Sequence, residues 1–346
     1  MSTKICVIGA GAIGGVTAAY MAKAGHDVTL VTKHPEIAAM ANGEGLSISG
    51  VRGSERIRVP AAATIDELGS GYQLCLIATK AYDMPACARQ ALPHLTDDAL
   101  VVSMQNGICT DALSEVVGAS RTVGCVIGFG ATMKGYGELE MTSTGEFVIG
   151  LPDKTRPALL EELRKALSAV VPAQISDDIY AELYSKLIVN ACITALGAVC
   201  GLYLGEMMER KDARRIFLGV IAEAVRVAET MGLTIPPYGG KLNYHKLMQG
   251  SGALDRLRRH LTIRVVGLKY SKLKSSSLQS LERGRPTEIQ YFNGYIVRKG
   301  AEVGVVCPIN DRLTRMVEEI EEGKRQITTE NLSDIRLTAA LDGKVG

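Results

Sequence analysis

The sequence carries no excess of charge of either sign and no long apolar run at its start. Its 346 residues include 39 lysines and arginines and 37 aspartates and glutamates, which give a net charge of +2. This balance does not indicate the positively charged surface that is typical of nucleic-acid-binding proteins. Residues 1–4 lead straight into an apolar strand, without the h-region and cleavage site of a signal peptide. Polar residues interrupt the other apolar runs well before the length of a membrane span. We therefore expect a soluble cytoplasmic protein that binds neither nucleic acid nor membrane.

Cysteine motifs of the zinc-binding type are also missing. The chain has eight cysteines but no CxxC pair and no Cys/His cluster, so no metal site is expected. Cys6 and Cys75 lie in apolar strand-like runs, whereas Cys192 and Cys200 lie in a helical pattern, where a thiol behaves as a small apolar side chain. We expect reduced thiols, as in a reducing compartment.

The chain does contain enough material for two domains with a cleft, because 346 residues exceed one ordinary domain and 47% of them are hydrophobic. Its pattern changes from strand-helix alternation to helical periodicity near residue 176. We expect a Rossmann-type dinucleotide-binding domain in residues 1–176, an all-helical substrate domain in residues 177–327 and a mobile tail in residues 328–346. Residues 237–275, rich in Gly, Lys, Arg and Ser, are typical of an elaborated loop plus a helix.

Alternation of apolar runs with helical segments through roughly the first 130 residues predicts an α/β fold with a parallel, doubly wound sheet. Residues 45–59 predict a hairpin insert, and residues 135–150 alternate as antiparallel strands do. Farther along, apolar residues recur at three- and four-residue spacing. This spacing predicts helices over residues 177–199, 213–231, 288–303 and 311–322.

A glycine-rich turn stands between the first strand and the first helix. The turn reads Gly9-x-Gly11-x-x-Gly14, in which the first glycine permits the tight turn, the second lets the backbone approach a pyrophosphate and the third lets helix and strand pack closely. The positive end of the helix dipole favours the same phosphates. The alternative is a glycine turn without a ligand. The expected cofactor-binding residues of the turn are Gly9, Ala10, Gly11, Ala12, Ile13 and Gly14.

The residues after the second strand predict the choice of nucleotide. Sites that prefer NAD usually carry Asp or Glu about 20 residues past the glycines, whereas a cation accepts the 2′-phosphate of NADP. This chain has Thr32-Lys33-His34 there, and Lys80 follows a later buried strand. Either lysine alone is as compatible with a solvated surface charge. Together they favour NADPH as the cofactor.

One helical segment carries polar residues on an otherwise apolar face. Lys186, Asn190 and Thr194 lie at i, i+4 and i+8, so they share one face of the helix. A buried lysine without a purpose is costly, although a lysine whose ammonium snorkels to the surface fits the same periodicity. Glu288, at the start of a later helical pattern, is a candidate carboxylate partner.

Four signatures occur along the chain in a fixed order. They are Gly9 to Gly14, Gln105-Asn106-Gly107, Lys186-x-x-x-Asn190, and Ser275-Ser276 followed by Pro286-Thr287-Glu288-Ile289 and Asn293-Gly294. In these motifs the chain resembles the 2-dehydropantoate 2-reductase (ketopantoate reductase) family over nearly its whole length. The resemblance implies NADPH-dependent reduction of a 2-oxo acid, with 2-dehydropantoate reduced to (R)-pantoate for pantothenate biosynthesis.

The resemblance also implies roles for single residues. Lys186 is implied as the general acid and Glu288 as the partner of the lysine and of the substrate hydroxyl. Substrate binding is implied for Asn106, Asn190, Thr194 and Ser276, and cofactor contacts are implied for Asn106 and Glu288 as well. Lys33 and Lys80 stand where the family places its 2′-phosphate cations. Such residues suit the reaction, because an ammonium stabilises and protonates the oxygen that gains charge when hydride adds to a carbonyl.

Some positions depart from the family pattern. A second asparagine followed by proline is common one turn after Asn190, where this chain has Thr194 and Ala195, and Ser280 replaces a frequent acidic residue. These departures leave open a related 2-hydroxy acid dehydrogenase with another substrate. A nucleotide-binding redox sensor without catalysis is a third hypothesis. The apolar content of the helical domain is compatible with a homodimer.

Overall fold

A computed structural model describes residues 2–343 of the chain. The chain divides into two compact units, residues 1–183 and residues 184–346, so the division falls within the long helix that starts at Ile179. The strands are β1 (Lys4–Ile8), β2 (Asp27–Val31), β3 (Leu46–Gly50), β4 (Glu55–Ile57), β5 (Ala61–Ala62), β6 (Tyr72–Ile77), β7 (Leu95–Ser103), β8 (Thr122–Ile127), β9 (Gly130–Gly135), β10 (Glu138–Ser143), β11 (Phe147–Gly150) and β12 (Ala173–Ile175).

Helices line the first unit and make up most of the second. They are α1 (Ala12–Lys23), α2 (Pro35–Asn42), α3 (Met84–Ala91), α4 (Thr110–Val117), α5 (Ala158–Ser168), α6 (Ile179–Cys200), α7 (Leu204–Glu209), α8 (Lys211–Thr230), α9 (Tyr244–Met248), α10 (Ala253–Lys269), α11 (Ser276–Glu282), α12 (Asn293–Glu302), α13 (Pro308–Glu321) and α14 (Ile335–Leu341).

The main sheet of the first unit has eight strands in the order β12-β11-β8-β7-β6-β1-β2-β5. Its central strands are parallel, and the pair β8–β11 is antiparallel. The sheet is therefore mixed rather than wholly parallel, and the predicted α/β fold with a helical C-terminal part is confirmed. Parallel strands buried on both faces read as unbroken apolar runs, and β1 does so, since Ile5 to Ile8 are at most 3% exposed.

A second sheet of four strands, ordered β4-β3-β10-β9, lies in the same unit. It contains the predicted hairpin, β3 with β4. The two segments predicted as antiparallel strands within residues 135–150 do not pair with each other: β10 pairs antiparallel with β9 in this sheet, whereas β11 pairs antiparallel with β8 in the main sheet. The pairs β3–β4 and β9–β10 join through parallel pairing of β3 with β10. Helix α1 packs on this sheet at Gly15, where a Cβ atom would lie 2.5 Å from Leu139 Cδ1. The first helix of the chain thus packs against a strand that follows it by more than 100 residues in the sequence.

Helix α6 is the apolar centre of the helical part of the chain. By length and composition it could cross a membrane, but 78% of its most apolar window is buried inside the protein. Burial of that kind is typical of the core helix of a folded domain. Tyr184 Oη donates to the carbonyl of Ala224 in α8 at 3.0 Å, which fixes the two helices against each other.

Two sequence-based expectations for the C-terminal half were wrong. Glu288 does not open a helix: a single 3₁₀ turn covers Ile289–Tyr291, and α12 starts only at Asn293. The expected tail from Thr328 contains a 3₁₀ helix (Thr329–Ser333) and α14, and Leu337 is fully buried. Residues 344–346 of that tail lie outside the described residues. The segment 237–275 does contain the expected loop and helix, as α9 and α10.

An ion-pair network holds the C-terminal segment. Arg312 of α13 donates from Nε and Nη2 to the two carboxylate oxygens of Asp334 at 3.0 and 2.8 Å, and Arg325 adds a 3.3 Å contact to the same carboxylate. Asp334 also caps α14 by accepting the amides of Arg336 and Leu337. The neighbouring arginines lower the pKa of Asp334 to about 2. These bonds order a stretch that has no apolar period of its own.

Candidate active site

The glycine turn after β1 has the geometry that its sequence predicts. Gly9 adopts a φ of +112°, in the region that favours glycine, and a Cβ atom there would lie 2.9 Å from the backbone of Ala78. A Cβ atom at Gly14 would lie 2.0 Å from the carbonyl oxygen of Gly9. The first and third glycines are therefore required by the fold itself, whatever the turn binds.

The second glycine is different, because no neighbouring atom among the described residues 2–343 crowds it. A Cβ atom at Gly11 would meet no atom within 4 Å, and Gly11 is exposed with a φ of −70°. It stands at the N-cap of α1, whose first turn has neither a capping side chain nor an acidic residue. Free amides at a helix N-terminus suit a phosphate. The turn thus fits the pyrophosphate of a dinucleotide, and glycine at position 11 leaves the space that such a ligand would fill.

Sheet order gathers the predicted cofactor residues at one edge. β1 lies between β2 and β6, and Ile8 is in register with Val31 on one side and with Ile77 on the other. Residues that follow these parallel strands therefore leave the same edge of the sheet. Lys33 follows β2, Lys80 follows β6, and both side chains are exposed. The glycine turn lies between them in strand order, at the carboxyl ends where open α/β sheets bind ligands.

Gln105 has a structural role that the sequence did not indicate. Its amide Nε2 donates to the carbonyls of Ile77 at 2.8 Å and Thr79 at 3.1 Å, and its Oε1 accepts from Ser103 at 2.7 Å. The side chain is 5% exposed and ties the ends of β6 and β7 together. The next residue, Asn106, is left exposed at the same edge.

In the second unit α6 presents the predicted polar face. Lys186 and Asn190 are half-buried, whereas the neighbouring Leu187, Ile188 and Ala191 are fully buried. Thr194 is 6% exposed, and its hydroxyl donates to the carbonyl of Asn190 at 2.7 Å. Thr194 therefore uses its proton within the helix, while the lysine and the asparagine reach solvent.

The segment before α10 braces the turn of α6 that carries Lys186. Tyr244 Oη donates to the carbonyl of Ser185 at 2.6 Å, and Ser185 Oγ donates to the carbonyl of Pro236 at 2.8 Å. Burial raises the pKa of Tyr244 well above its ordinary value, so the phenol keeps the proton that it donates. Sequence reasoning missed Tyr244, because its segment gave no readable period, and it missed the part of Ser185, because a hydrogen bond to a distant backbone carbonyl leaves no local pattern.

Ser276 lies at the start of α11. The preceding residue, Ser275, caps this helix by accepting the amide of Leu278 at 3.1 Å. A Cβ atom at Gly197 of α6 would lie 2.6 Å from Ser275 Oγ, so the start of α11 packs directly on α6, one turn beyond Thr194. Ser276 itself is exposed. The structure thus brings the first residue of α11 to the helix that carries Lys186.

Glu288 lies in a backbone segment that hydrogen bonds hold in place. The amide of Thr287 donates to Glu321 Oε1 at 2.6 Å, and Thr287 Oγ1 accepts the amide of Ile289 at 3.2 Å. The carbonyl of Glu288 accepts from Tyr291 at 2.9 Å. Its side chain is half-buried. Its approach to Lys186 stays a prediction.

The signature residue Asn293 belongs to a buried network rather than to an exposed site. Asn293 Nδ2 donates to Asn310 Oδ1 at 2.9 Å, and Asn310 donates from its amide and from Nδ2 to Glu223 Oε2 at 2.9 and 2.7 Å. Burial raises the pKa of Glu223, while these bonds and the amide of Ile309 oppose that shift. The network joins α8, α12 and α13, and so supports the segment that carries Glu288.

Comparison with known proteins decides the family. Residues 5–154 match the model "Ketopantoate reductase PanE/ApbA", and residues 178–321 match the corresponding C-terminal model. The chain belongs to the ketopantoate reductase family. A curated 2-dehydropantoate 2-reductase of Archaeoglobus fulgidus is 26% identical over 321 residues, which cover 92% of this chain and 98% of the relative.

Solved structures agree with this ketopantoate reductase fold. A PanE/ApbA family ketopantoate reductase from Ralstonia eutropha JMP134 superimposes with a TM-score of 0.79 at 27% identity, covering 93% of this chain and 99% of that one. D-Mandelate dehydrogenase in a ternary structure with NADH and anilino(oxo)acetate gives a TM-score of 0.78 at 22% identity, with the same coverage, and shows the shared fold. The chain is thus an oxidoreductase of the ketopantoate reductase type, acting on CH-OH groups and using a nicotinamide cofactor.

Proposed function

We propose that this protein catalyses the NADPH-dependent reduction of a 2-oxo acid, with 2-dehydropantoate as substrate and (R)-pantoate as product. The observation that carries the proposal is the face of α6, where Lys186 and Asn190 reach solvent from a helix on which Leu187, Ile188 and Ala191 are fully buried. An ammonium and an amide that reach solvent from one face of a helix can together bind the polar groups of a ligand. Family membership indicates that this ligand is a 2-oxo acid.

Lys186 supplies the proton of the proposed reaction. When bound, the reduced nicotinamide supplies hydride to the C2 carbonyl of the 2-oxo acid. The Lys186 ammonium stabilises the negative charge on the carbonyl oxygen and donates a proton to it, which completes the alcohol. Tyr244 and Ser185 hold the turn of α6 that aims this ammonium.

Other residues orient the reactants in the proposal. Asn190 and Ser276 bind the substrate, and Asn106 orients substrate and cofactor, since an amide hydrogen-bonds without competing for the proton. Glu288 accepts from the substrate hydroxyl and from Lys186, and it also contacts the cofactor. Gly9, Gly11 and Gly14 hold the pyrophosphate, flanked by Ala10, Ala12 and Ile13. Lys33 and Lys80 pair with the 2′-phosphate.

Steady-state kinetics over a panel of 2-oxo acids test the proposal. We expect kcat/KM for 2-dehydropantoate with NADPH to exceed that for any other acid by about tenfold or more, a difference of about 1.4 kcal/mol in transition-state binding. A different acid that wins by that margin would contradict the assignment of substrate. Absence of turnover with every acid, together with tight NADPH binding, would instead favour a nucleotide-binding sensor.

One observation favours a second substrate. The Thr194 hydroxyl donates to the carbonyl of Asn190, so it offers its oxygen but not its proton to a ligand. A 2-oxo acid whose side chain carries an apolar group next to Thr194 would pack that group against the Thr194 methyl group. Thr194→Asn should then shift relative kcat/KM toward 2-dehydropantoate, with Thr194→Ser as the matched control. An unchanged ranking of substrates in both variants would remove Thr194 from the specificity argument.

A further inference from the structure

A cavity of about 540 Å³ lies between α8 and α9 in the second unit. Its apolar wall comprises Ala222 and Val225 of α8 and Met248 of α9. Val225 is 5% exposed, so a core residue of the unit forms part of this wall. Ligand-binding cavities in proteins commonly have volumes of about 300–1,000 Å³ and mostly apolar linings. The cavity is therefore large enough for a small organic molecule.

Two cationic side chains line the same cavity, one from each helix. Arg226 of α8 and Lys246 of α9 are both exposed. Among the described residues 2–343, neither side chain makes a hydrogen bond or an ion pair. The acidic residue that lines the cavity, Glu229, already has a partner, since its Oε1 lies 3.0 Å from His245 Nδ1. The arginine and the lysine are thus available to an anion.

Two further arginines, from α10, cover the backbone of the α9 segment. Arg258 donates to the carbonyls of Lys246 and Gln249 at 2.9 and 2.8 Å, and Arg259 donates to the carbonyl of Met248 at 2.7 Å. Carbonyl oxygens that would otherwise repel an anion are therefore occupied by guanidinium groups. These groups also add positive charge beside the cavity, which favours an anionic ligand over a neutral one.

Each wall of the cavity is hydrogen-bonded to α6. In α8 the bond is the 3.0 Å contact from Tyr184 Oη to the carbonyl of Ala224, one residue before the cavity lining. In α9 it is the 2.6 Å contact from Tyr244 Oη to the carbonyl of Ser185, again one residue before the lining. The two bonds thus involve the two residues that precede Lys186. A ligand that bridges α8 and α9 would therefore hold the turn of α6 that carries the Lys186 ammonium.

We propose that the cavity between α8 and α9 is an effector site for a small organic anion, whose phosphate or carboxylate group lies between Arg226 and Lys246. The apolar part of the anion packs against Val225 and Met248. Charge-assisted hydrogen bonds from an arginine are the strong ones for both kinds of anion. Occupation holds α8 against α9 and raises turnover through the turn before Lys186. The binding site does not rest on the proposed function, whereas the effect on turnover does.

Fluorescence tests the binding site without any turnover. The chain has no tryptophan, so Gln249→Trp places a single indole at the cavity. The probe is n-butyl phosphate, and pentanoate replaces the phosphate by a carboxylate. We expect a saturable change in indole emission with a dissociation constant of about 1 mM or less for the better probe, which identifies the charged group of the ligand. Inorganic phosphate and 1-butanol, which each lack one of the two contacts, should bind at least about tenfold more weakly.

Charge variants of the reporter chain test which residues hold the anion. Arg226→Gln and Lys246→Gln, each combined with Gln249→Trp, should raise the dissociation constant of the better probe at least about tenfold. Arg315→Gln, at an exposed arginine of α13, is the matched control and should leave it unchanged. An indole emission without a saturable response to either anion, or equal affinities in all these chains, would overturn the effector site.

Steady-state kinetics test the coupling to the candidate active site. At saturating 2-oxo acid and NADPH, the better probe should raise wild-type kcat at least about twofold. Tyr244→Phe removes the hydroxyl that bonds to Ser185, so the probe should still bind in the reporter chain but no longer raise kcat. An unchanged or lowered wild-type kcat with the probe bound would refute the regulation. A chain that reduces no 2-oxo acid would contradict the proposed function and the coupling with it, while the fluorescence titration would still decide the binding site.

Discussion

At the scale of single residues, Lys186 bears the greatest part of the proposed chemistry. Its ammonium stabilises charge that exists only in the transition state, so Lys186→Ala should lower kcat by about 10²–10⁴-fold. The dissociation constant of NADPH should change little, because the proposal assigns the dinucleotide to the glycine turn and Lys33. Stopped-flow hydride transfer and fluorescence titration of NADPH measure the two quantities.

The control for this substitution is Lys211→Ala, at an exposed lysine that starts α8. It should leave both quantities unchanged. A Lys186→Ala enzyme that kept more than about a tenth of wild-type kcat, with chemistry rate-limiting, would contradict the assignment, since one decade is only about 1.4 kcal/mol. The lysine would then be a snorkelling side chain on a packed helix.

Lys33 is the residue at which cofactor preference can be tested. It is exposed directly after β2, where a carboxylate would bind the ribose hydroxyls of NADH and repel a 2′-phosphate. Lys33→Asp should therefore reverse the ratio of kcat/KM for NADPH and NADH, while Arg58→Asp, at another exposed cation of the first unit, should not. Equal use of NADH and NADPH by the wild type would mean that Lys33 and Lys80 are ordinary surface charges.

At the scale of elements, the β1–α1 turn contains both glycines that the fold requires and a glycine that we propose faces the cofactor. Gly14→Ala forces a Cβ atom to within 2.0 Å of the Gly9 carbonyl and should lower the melting temperature. Gly11→Ala places its methyl group in open space, so the melting temperature should hold while NADPH affinity falls. Thermal unfolding and cofactor titration of both variants distinguish these effects. Full NADPH affinity in Gly11→Ala would show that the phosphates do not approach this backbone.

Elements also show where sequence reasoning succeeds and where it stops. Strand β1, its glycine turn and α1 were predictable because the local backbone conformation determines which residue types occur there. The start of α12 was not, since Asn293 is fixed by Asn310 and Glu223, which lie 17 and 70 positions away. The pairing of β3 with β10 likewise depends on contacts that no local period records. Tyr244 and Gln105 act through backbone carbonyls, which leave no sequence pattern at all.

At the scale of the whole molecule, the C-terminal ion-pair network predicts how stability responds to acid. The folded-state pKa of Asp334, about 2, lies below its ordinary value of 3.8, so the charged carboxylate stabilises the fold above pH 3.8. That stability is lost as pH falls toward 2. Asp334→Asn, which keeps a capping side chain, should lower the free energy of unfolding at pH 7 by about 1–2 kcal/mol after allowance for solvent screening.

Urea unfolding of Asp334→Asn and wild type at several pH values measures this difference, which should shrink below pH 4. The matched control is Asp342→Asn, whose ion pair with Arg215 is more exposed, and its effect should be near zero. A gap between Asp334→Asn and wild type that stays constant with pH would mean that the carboxylate charge does not stabilise the C-terminal segment.

The cover that β10 gives to α1 has a consequence for synthesis on the ribosome. Helix α1 leaves the ribosome early, but Leu139, the side chain that packs on Gly15, follows about 120 residues later. Because synthesis proceeds at about 5–20 residues per second, the apolar face of α1 stays without its packing partner β10 for about 6–24 s. During that interval the nascent chain exposes the apolar surface of α1, and such transiently exposed surface favours aggregation until β10 packs on the helix.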